Sequence, residues 1–397
     1  MLECRTTWLL IGFTCIAGLP RAQSADPLLE LSVGGTSYVG KTLAHDKRIC
    51  WLAERDGRLT ELELAQVTGF RKVEDRFRSL SAVDLRSQLR KEYGRGWDIV
   101  GTGHYLVCGP AGRAAEMGEH FEQLYRSFRS YFSRRSFNLP EPEFPMVAIV
   151  FATEREFADY CRADQVPYVQ GLKGYYSRLT NRIALFEPKS APVVSVDTPL
   201  GGLENTRLAL GGIGSGPVGG DPGWARGRWD ASVQADLKDT IVHEATHQSA
   251  YNLGLHSRIG QNPKWITEGL ATMFEAEGTR ENTAGKRPIE RVNRERLEWF
   301  RELTRKPSGP ERLARLVADD AMFQSQTLDA YAQAWALTFF LAETRSAEYS
   351  KYLKTVSDRP PLEPYTDSQR LTDFQAAFGK DLDRLDVSFR RFIDDLE

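Results

Sequence analysis

His243-Glu244-Ala245-Thr246-His247, followed downstream by Trp265-Ile266-Thr267-Glu268-Gly269-Leu270-Ala271, is the stretch whose reading decides this chain. On a helix, residues four apart share a face, so His243 and His247 can turn their imidazoles toward one ion, while Glu244 projects about 100° further round. A catalytic zinc takes three protein ligands and keeps one position open, and a carboxylate serves as the third. Glu268 is the candidate. The competing reading is a pair of core histidines or a solvated stripe. Ile241 and Val242 on one side, with Ala245, Ala250 and Tyr251 on the other, make the helix mostly buried. Buried histidines need partners, which favours the metal.

H-E-x-x-H followed by W-x-x-E-G-x-A resembles the gluzincin zinc metallopeptidases of the peptidase MA clan, which includes thermolysin and the zinc aminopeptidases. Within that clan the chain looks most like an uncharacterised family of secreted bacterial proteins labelled domain of unknown function 1570, from about Leu85 to the C-terminus. The metzincin pattern fits badly, because it requires Gly and His where Ala250 and Leu253 stand.

The resemblance implies one catalytic Zn2+ held by His243, His247 and Glu268. It also implies amide hydrolysis in which Glu244 takes the proton of the attacking water and returns it to the leaving amine. Gluzincins commonly supply a phenolic hydroxyl from the C-terminal lobe to the oxyanion, and Tyr331 is the candidate, although Tyr331, Trp335 and Phe339 also stand at core spacing. Glu275, seven residues after Glu268 and on the same helix face, is placed to hydrogen-bond a ligand histidine. Thr272 stands where thermolysin has an aspartate. His256 is read as a loop residue or a substrate-side donor, and His104 and His120 have no site context. Gly269 is expected to let its helix approach the His243 helix closely enough for Glu268 to reach the metal, with Ala271 helping.

Around this centre, 397 residues with 41% hydrophobic content support a globular core, and a formal charge of −2 gives no electrostatic reason to expect nucleic acid. Arg5, an apolar run from about Trp8 to Leu19 and Ala22-Gln23-Ser24 read as a secretory signal peptide over 1–24. No later run approaches the roughly 20 apolar residues of a membrane span. A secreted or periplasmic protein is expected, with no stable membrane insertion after signal removal and an oligomeric state that sequence leaves open. Cys50, Cys108 and Cys161 allow one disulfide and one free thiol in an oxidising compartment.

The expected fold class is α+β: a small barrel-like or open β module over 25–75, an α+β catalytic lobe over 80–280, and a helical lobe over 281–397. Tyr38–Lys41, Ile49–Leu52 and Leu59–Leu64 read as strands, with Asp56-Gly57 as a hairpin turn. Ser81 with Asp84 opens a helix closed by Gly94, Asp98–Cys108 reads as one strand, and Ala114, Met117, Phe121, Leu124, Phe128 and Phe132 carry a helical period. Met146–Phe151 reads as a strand, and Thr153 with Glu156 as a capping box.

Gly174–Phe186 reads as a strand pair. It occupies the place of the gluzincin edge strand that pairs with an extended peptide or protein substrate. A Gly-rich loop over 188–224 precedes a metal-binding helix from about Val233 to Asn252. Further helices are expected at Arg294–Arg305, Leu328–Glu343, Tyr349–Val356 and Asp381–Asp395. Two alternatives stand beside an endopeptidase: an aminopeptidase using Glu204 of Gly201-Gly202-Leu203-Glu204-Asn205, and a non-catalytic surface protein that keeps zinc for stability.

Overall fold

Short alternating runs punctuated by Gly and Asp fold the N-terminal part as a meander. β1 (Leu28–Val33), β2 (Thr36–His45), β3 (Ile49–Glu54), β4 (Leu59–Glu63) and β5 (Val67–Glu74) form an antiparallel sheet in the order β4-β3-β2-β1-β5. Gly57 supplies the positive φ (91°) of the Asp56-Gly57 turn. The sheet is open rather than barrel-like, with β4 and β5 as its two edges, and β5 leaves most of its side chains in solvent. Leu28, Ala53 and Leu59 pack against Phe77 and Phe144. The structure is a computed structural model and describes residues 26–169, 171–187, 222–281, 287–305 and 311–397, the backbone alone for 222–236. The expected signal segment and residues 188–221, Glu204 among them, lie outside the described residues.

The second sheet positions the site. α1 (Ala82–Tyr93), β6 (Trp97–Gly101), β7 (Tyr105–Pro110), α2 (Ala114–Ser133), β8 (Met146–Phe151), α3 (Glu154–Ala163), β9 (Gly174–Ser177) and β10 (Arg182–Phe186) follow in chain order. The strand order is β6-β7-β8-β10-β9, with β7, β8 and β10 parallel and both edge strands antiparallel. The expected single strand Asp98–Cys108 is a hairpin, β6 and β7, because Gly101-Thr102-Gly103 breaks the run. Alternate residues of β8 serve two cores. Met146, Ala148 and Val150 join α2, whereas Val147, Ile149 and Phe151 join Leu85 and Leu89 of α1 and Phe157 and Cys161 of α3. A strand buried on both faces is the continuous apolar run that Met146–Phe151 shows.

α4 (Pro222–Asn252) lies on the α2 side of this sheet. It starts well before Val233, with proline in the first turn where the missing N–H costs nothing, so the last residues of the expected Gly-rich loop are helical. Gly254 (φ 77°) follows its end. Gln248 fastens the helix to the sheet: it is fully buried, and its Nε2 donates to the carbonyls of Asn181 (2.7 Å) and Val147 (3.1 Å). Asn252 and Asn181 exchange amide hydrogen bonds of 2.8 and 2.9 Å. Val147 belongs to β8 and Asn181 directly precedes β10, so these bonds set the helix's position over the strands.

The remainder is helical: α5 (Lys264–Glu275), α6 (Glu277–Arg280), α7 (Arg294–Arg305), α8 (Arg312–Ala318), α9 (Met322–Ser325), α10 (Thr327–Thr344), α11 (Ser346–Ser357), α12 (Asp367–Phe378) and α13 (Leu382–Asp394). The chain is α+β, β-rich toward the N-terminus and helical toward the C-terminus. Gly269 corrects one expectation. A β-carbon there would lie 2.3 Å from Thr338 Oγ1 and 2.4 Å from the carbonyl oxygen of Ala334, so the close approach it allows is to α10 and not to α4. Cys50, Cys108 and Cys161 are all free and buried, and no disulfide is present among the described residues.

Candidate metal centre

α4 presents His243, Glu244 and His247, and α5 crosses it to bring in Glu268. The two imidazole Nε2 atoms are 3.2 Å apart, and Glu268 Oε2 lies 3.5 Å from that of His243 and 3.6 Å from that of His247. The side chains are mostly buried without being sealed, at 14%, 12% and 18% exposure. The carboxylate–imidazole separations are too long for good hydrogen bonds. They match the donor–donor edge of about 3.3 Å that follows from tetrahedral angles and zinc bonds of about 2.0–2.1 Å. Three donors of types that suit zinc thus form a triangle of the right size.

His243 is held from behind. His243 Nδ1 is 2.8 Å from Glu275 Oε1, and Glu275 Oε2 accepts from Asn293 Nδ2 at 3.0 Å. With its Nδ1 proton directed at a carboxylate, His243 turns the Nε2 lone pair toward the other ligands. Glu275 therefore takes the histidine-orienting place that Thr272 cannot fill, and the Thr272 hydroxyl instead donates to the carbonyl of Glu268 (2.6 Å).

The electrostatics favour positive charge here. Burial acts to lower His243, but the nearby carboxylate of Glu268 and the hydrogen bond to Glu275 outweigh it and raise the imidazole well above its usual range. Burial acts to raise Glu268, but the charge of His247 and the close approach of both imidazoles hold it well below the carboxylate range.

Glu244 and His243 open onto a cleft of about 300 Å³, also lined by residues 171–174, Thr240, Glu275, Asn293 and Arg296. β9, the edge strand, begins at this cleft. A β-carbon on Gly174 would come within 2.9 Å of Thr240 Cγ2, so glycine lets the strand lie directly on α4. Tyr331, on the first turns of α10, is half-buried while Trp335 and Phe339 of the same stripe are in the core. Burial, then the charge and hydrogen-bonding proximity of Glu268, then the charges of Glu244 and Glu275, push its hydroxyl far above the ordinary phenol range. The phenol therefore belongs to the carboxylate cluster as well as to the α10 stripe. By packing α5 against α10, Gly269 serves this placement.

His256 is a loop residue, as expected, but a buried one, 3% exposed, and burial followed by the charge of His247 pushes it down to about 3. Its Nε2 has no hydrogen-bond partner among the described residues. His104 does have a context, as the partner of Glu122 on α2 at 2.9 Å. Gln248 and Asn293 are site-supporting residues that periodicity and motif spacing passed over, and Arg296 is a cleft-lining one. Asn293 carried a readable signal, since an Asn directly before the Arg294–Arg305 helix is a capping residue, and its Oδ1 accepts from Arg296 N at 3.2 Å.

Residues 238–363 match the family model described as Protein of unknown function (DUF1570). The match is shorter than the resemblance expected from about Leu85, yet it spans His243, Glu244, His247, Glu268, Glu275, Arg296 and Tyr331. No curated protein matches the chain.

Proposed function

We propose that this chain is an exported zinc-dependent metallopeptidase of gluzincin type, in which His243, His247 and Glu268 hold the ion. The observation that carries the reading is the donor triangle with edges of 3.2, 3.5 and 3.6 Å, backed by Glu275 and open on the side of Glu244. Zinc bound there supplies Lewis acidity and acidifies water to a pKa of about 7.

The chain's own residues do the rest. Glu244 lines the cleft beside His243, where its carboxylate accepts the proton of the attacking water and delivers it to the leaving amine nitrogen as the C–N bond breaks. Burial and the neighbouring carboxylates favour the protonated phenol of Tyr331. It donates a hydrogen bond to the carbonyl oxygen as negative charge develops there. β9 offers its edge to an extended peptide backbone, a mode that reads few side chains. No helix among the described residues is long and apolar enough to cross a membrane.

The test is metal analysis of the purified chain together with turnover of quenched peptide mixtures before and after chelation. About one zinc per chain, with turnover lost on chelation and restored by zinc, is the expected result. A chain that stays zinc-free under metal-replete conditions sinks the reading.

A further inference from the structure

Arg296, on the first turn of α7, lines the cleft beside Glu244 and Asn293 and is only 3% exposed. Its Nε and Nη1 have no hydrogen-bond partner among the described residues. The nearest carboxylate, Glu295, is 3.8 Å from Nη1, beyond hydrogen-bond reach, and is itself half-exposed. The Tyr331 ring lies 5.9 Å from the guanidinium carbon, in weak cation–π range, which does nothing for the N–H donors.

Arg182 shows what this protein does with a buried arginine that is purely structural. At 5% exposure it gives Nη1 and Nη2 to the two oxygens of Glu92 at 2.6 and 2.9 Å. A buried cation with unmade hydrogen bonds is costly, and a planar anion is the group that relieves it, since the guanidinium fork matches a carboxylate. Other acids of the cleft do not fill this place: Glu275 is engaged by His243 and Asn293, and Asp239 has an interaction of its own.

We infer that Arg296 receives a carboxylate of the substrate next to the reacting bond, which makes the cleft selective for acidic peptides. The inference rests on the peptidase reading above. The carboxylate has two sources, an acidic side chain or a free chain terminus, and both present the same planar anion to the guanidinium.

The test uses the zinc-loaded full chain and four matched quenched peptides, with Glu or Gln beside the cleaved bond and a C-terminal acid or amide. The wild type is expected to prefer carboxylate-bearing peptides by about 10- to 100-fold in kcat/KM. Preference for Glu over Gln regardless of terminus assigns the side chain, and preference for the free acid assigns the terminus. Arg296→Met is expected to lose the preference while keeping zinc and the turnover of the neutral peptide, and Arg296→Lys to keep part of it.

Equal rates on all four peptides by the wild type overturn the inference without needing a variant that folds. So does a preference that survives in Arg296→Met. If the wild type holds zinc and cleaves none of the peptides, the peptidase reading fails, and calorimetry with N-acetylglutamate and N-acetylglutamine decides the role of Arg296. Tighter binding of the acid by tenfold or more in the wild type, lost in Arg296→Met, upholds a carboxylate site, and equal binding overturns it.

Discussion

Glu122 with His104, and Glu268 with His243 and His247, use the same residue types to opposite ends. The Glu122 carboxylate is saturated by donors: Thr102 Oγ1 at 2.8 Å, His104 N at 3.0 Å, His104 Nδ1 at 2.9 Å and Arg126 Nε at 3.2 Å. Gly103 lets the β6–β7 turn wrap it, since a β-carbon there would lie 3.0 Å from Glu122 Oε1. In the α4–α5 cluster the hydrogen bonds run outward, to Glu275 and Asn293, while the inward-facing atoms meet at 3.2 to 3.6 Å. Donors filling a carboxylate make a structural staple. On the function proposed above, acceptors gathered together, with their donors turned away, make a place for a cation.

That contrast can be broken by substitution, and the largest effect belongs to Glu244→Gln. Turnover of quenched peptides is expected to fall by about 10²- to 10⁴-fold with zinc content unchanged, because the general base goes and the ligands stay. Retained turnover would return the α4 cluster to the structural class. Tyr331→Phe should follow with a loss of about 10²- to 10³-fold in kcat, as for a removed oxyanion donor. An unchanged kcat would leave Tyr331 as a packing residue of α10.

Glu275→Gln is expected to weaken zinc by about 10- to 100-fold in chelator competition, the usual cost of removing a carboxylate behind a ligand histidine. The smallest effect on chemistry is Glu122→Gln, which should leave turnover alone and cost about 1–3 kcal/mol in urea unfolding. Burial acts to raise Glu122, but hydrogen bonds from His104 and Thr102 outweigh it and hold the carboxyl below its usual range. A depressed native pKa stabilises fully above the unfolded value of about 4.3 and is lost as pH falls through the native value. The wild-type advantage over Glu122→Gln should therefore vanish on acidification, and an advantage unchanged at pH 3 would refute the staple.

Much of this was legible in residue order, for reasons of local physics. Turn chemistry at Asp56-Gly57, the caps at Ser81 and Thr153, and the apolar period of α2 depend on neighbours within a few residues, and each element lies where those signals put it. The i, i+4 spacing of His243 and His247 and the seven-residue step from Glu268 to Glu275 likewise set side chains on one helix face. Legibility failed where two glycines in Gly101-Thr102-Gly103 split one apparent strand into β6 and β7. It failed again where Pro222 began α4 early.

Residue order by itself determined which side chains were available to a metal and which helices would carry them, because helical geometry is a local property. Only the tertiary structure decided which surfaces meet. Gly269 looked like a contact point for α4 and is the contact point for α10, since a missing β-carbon declares that something approaches without saying what. Arg296 looked like one more arginine on a charged helix. Burial and the lack of partners for two of its nitrogens, both products of long-range packing, are what single it out.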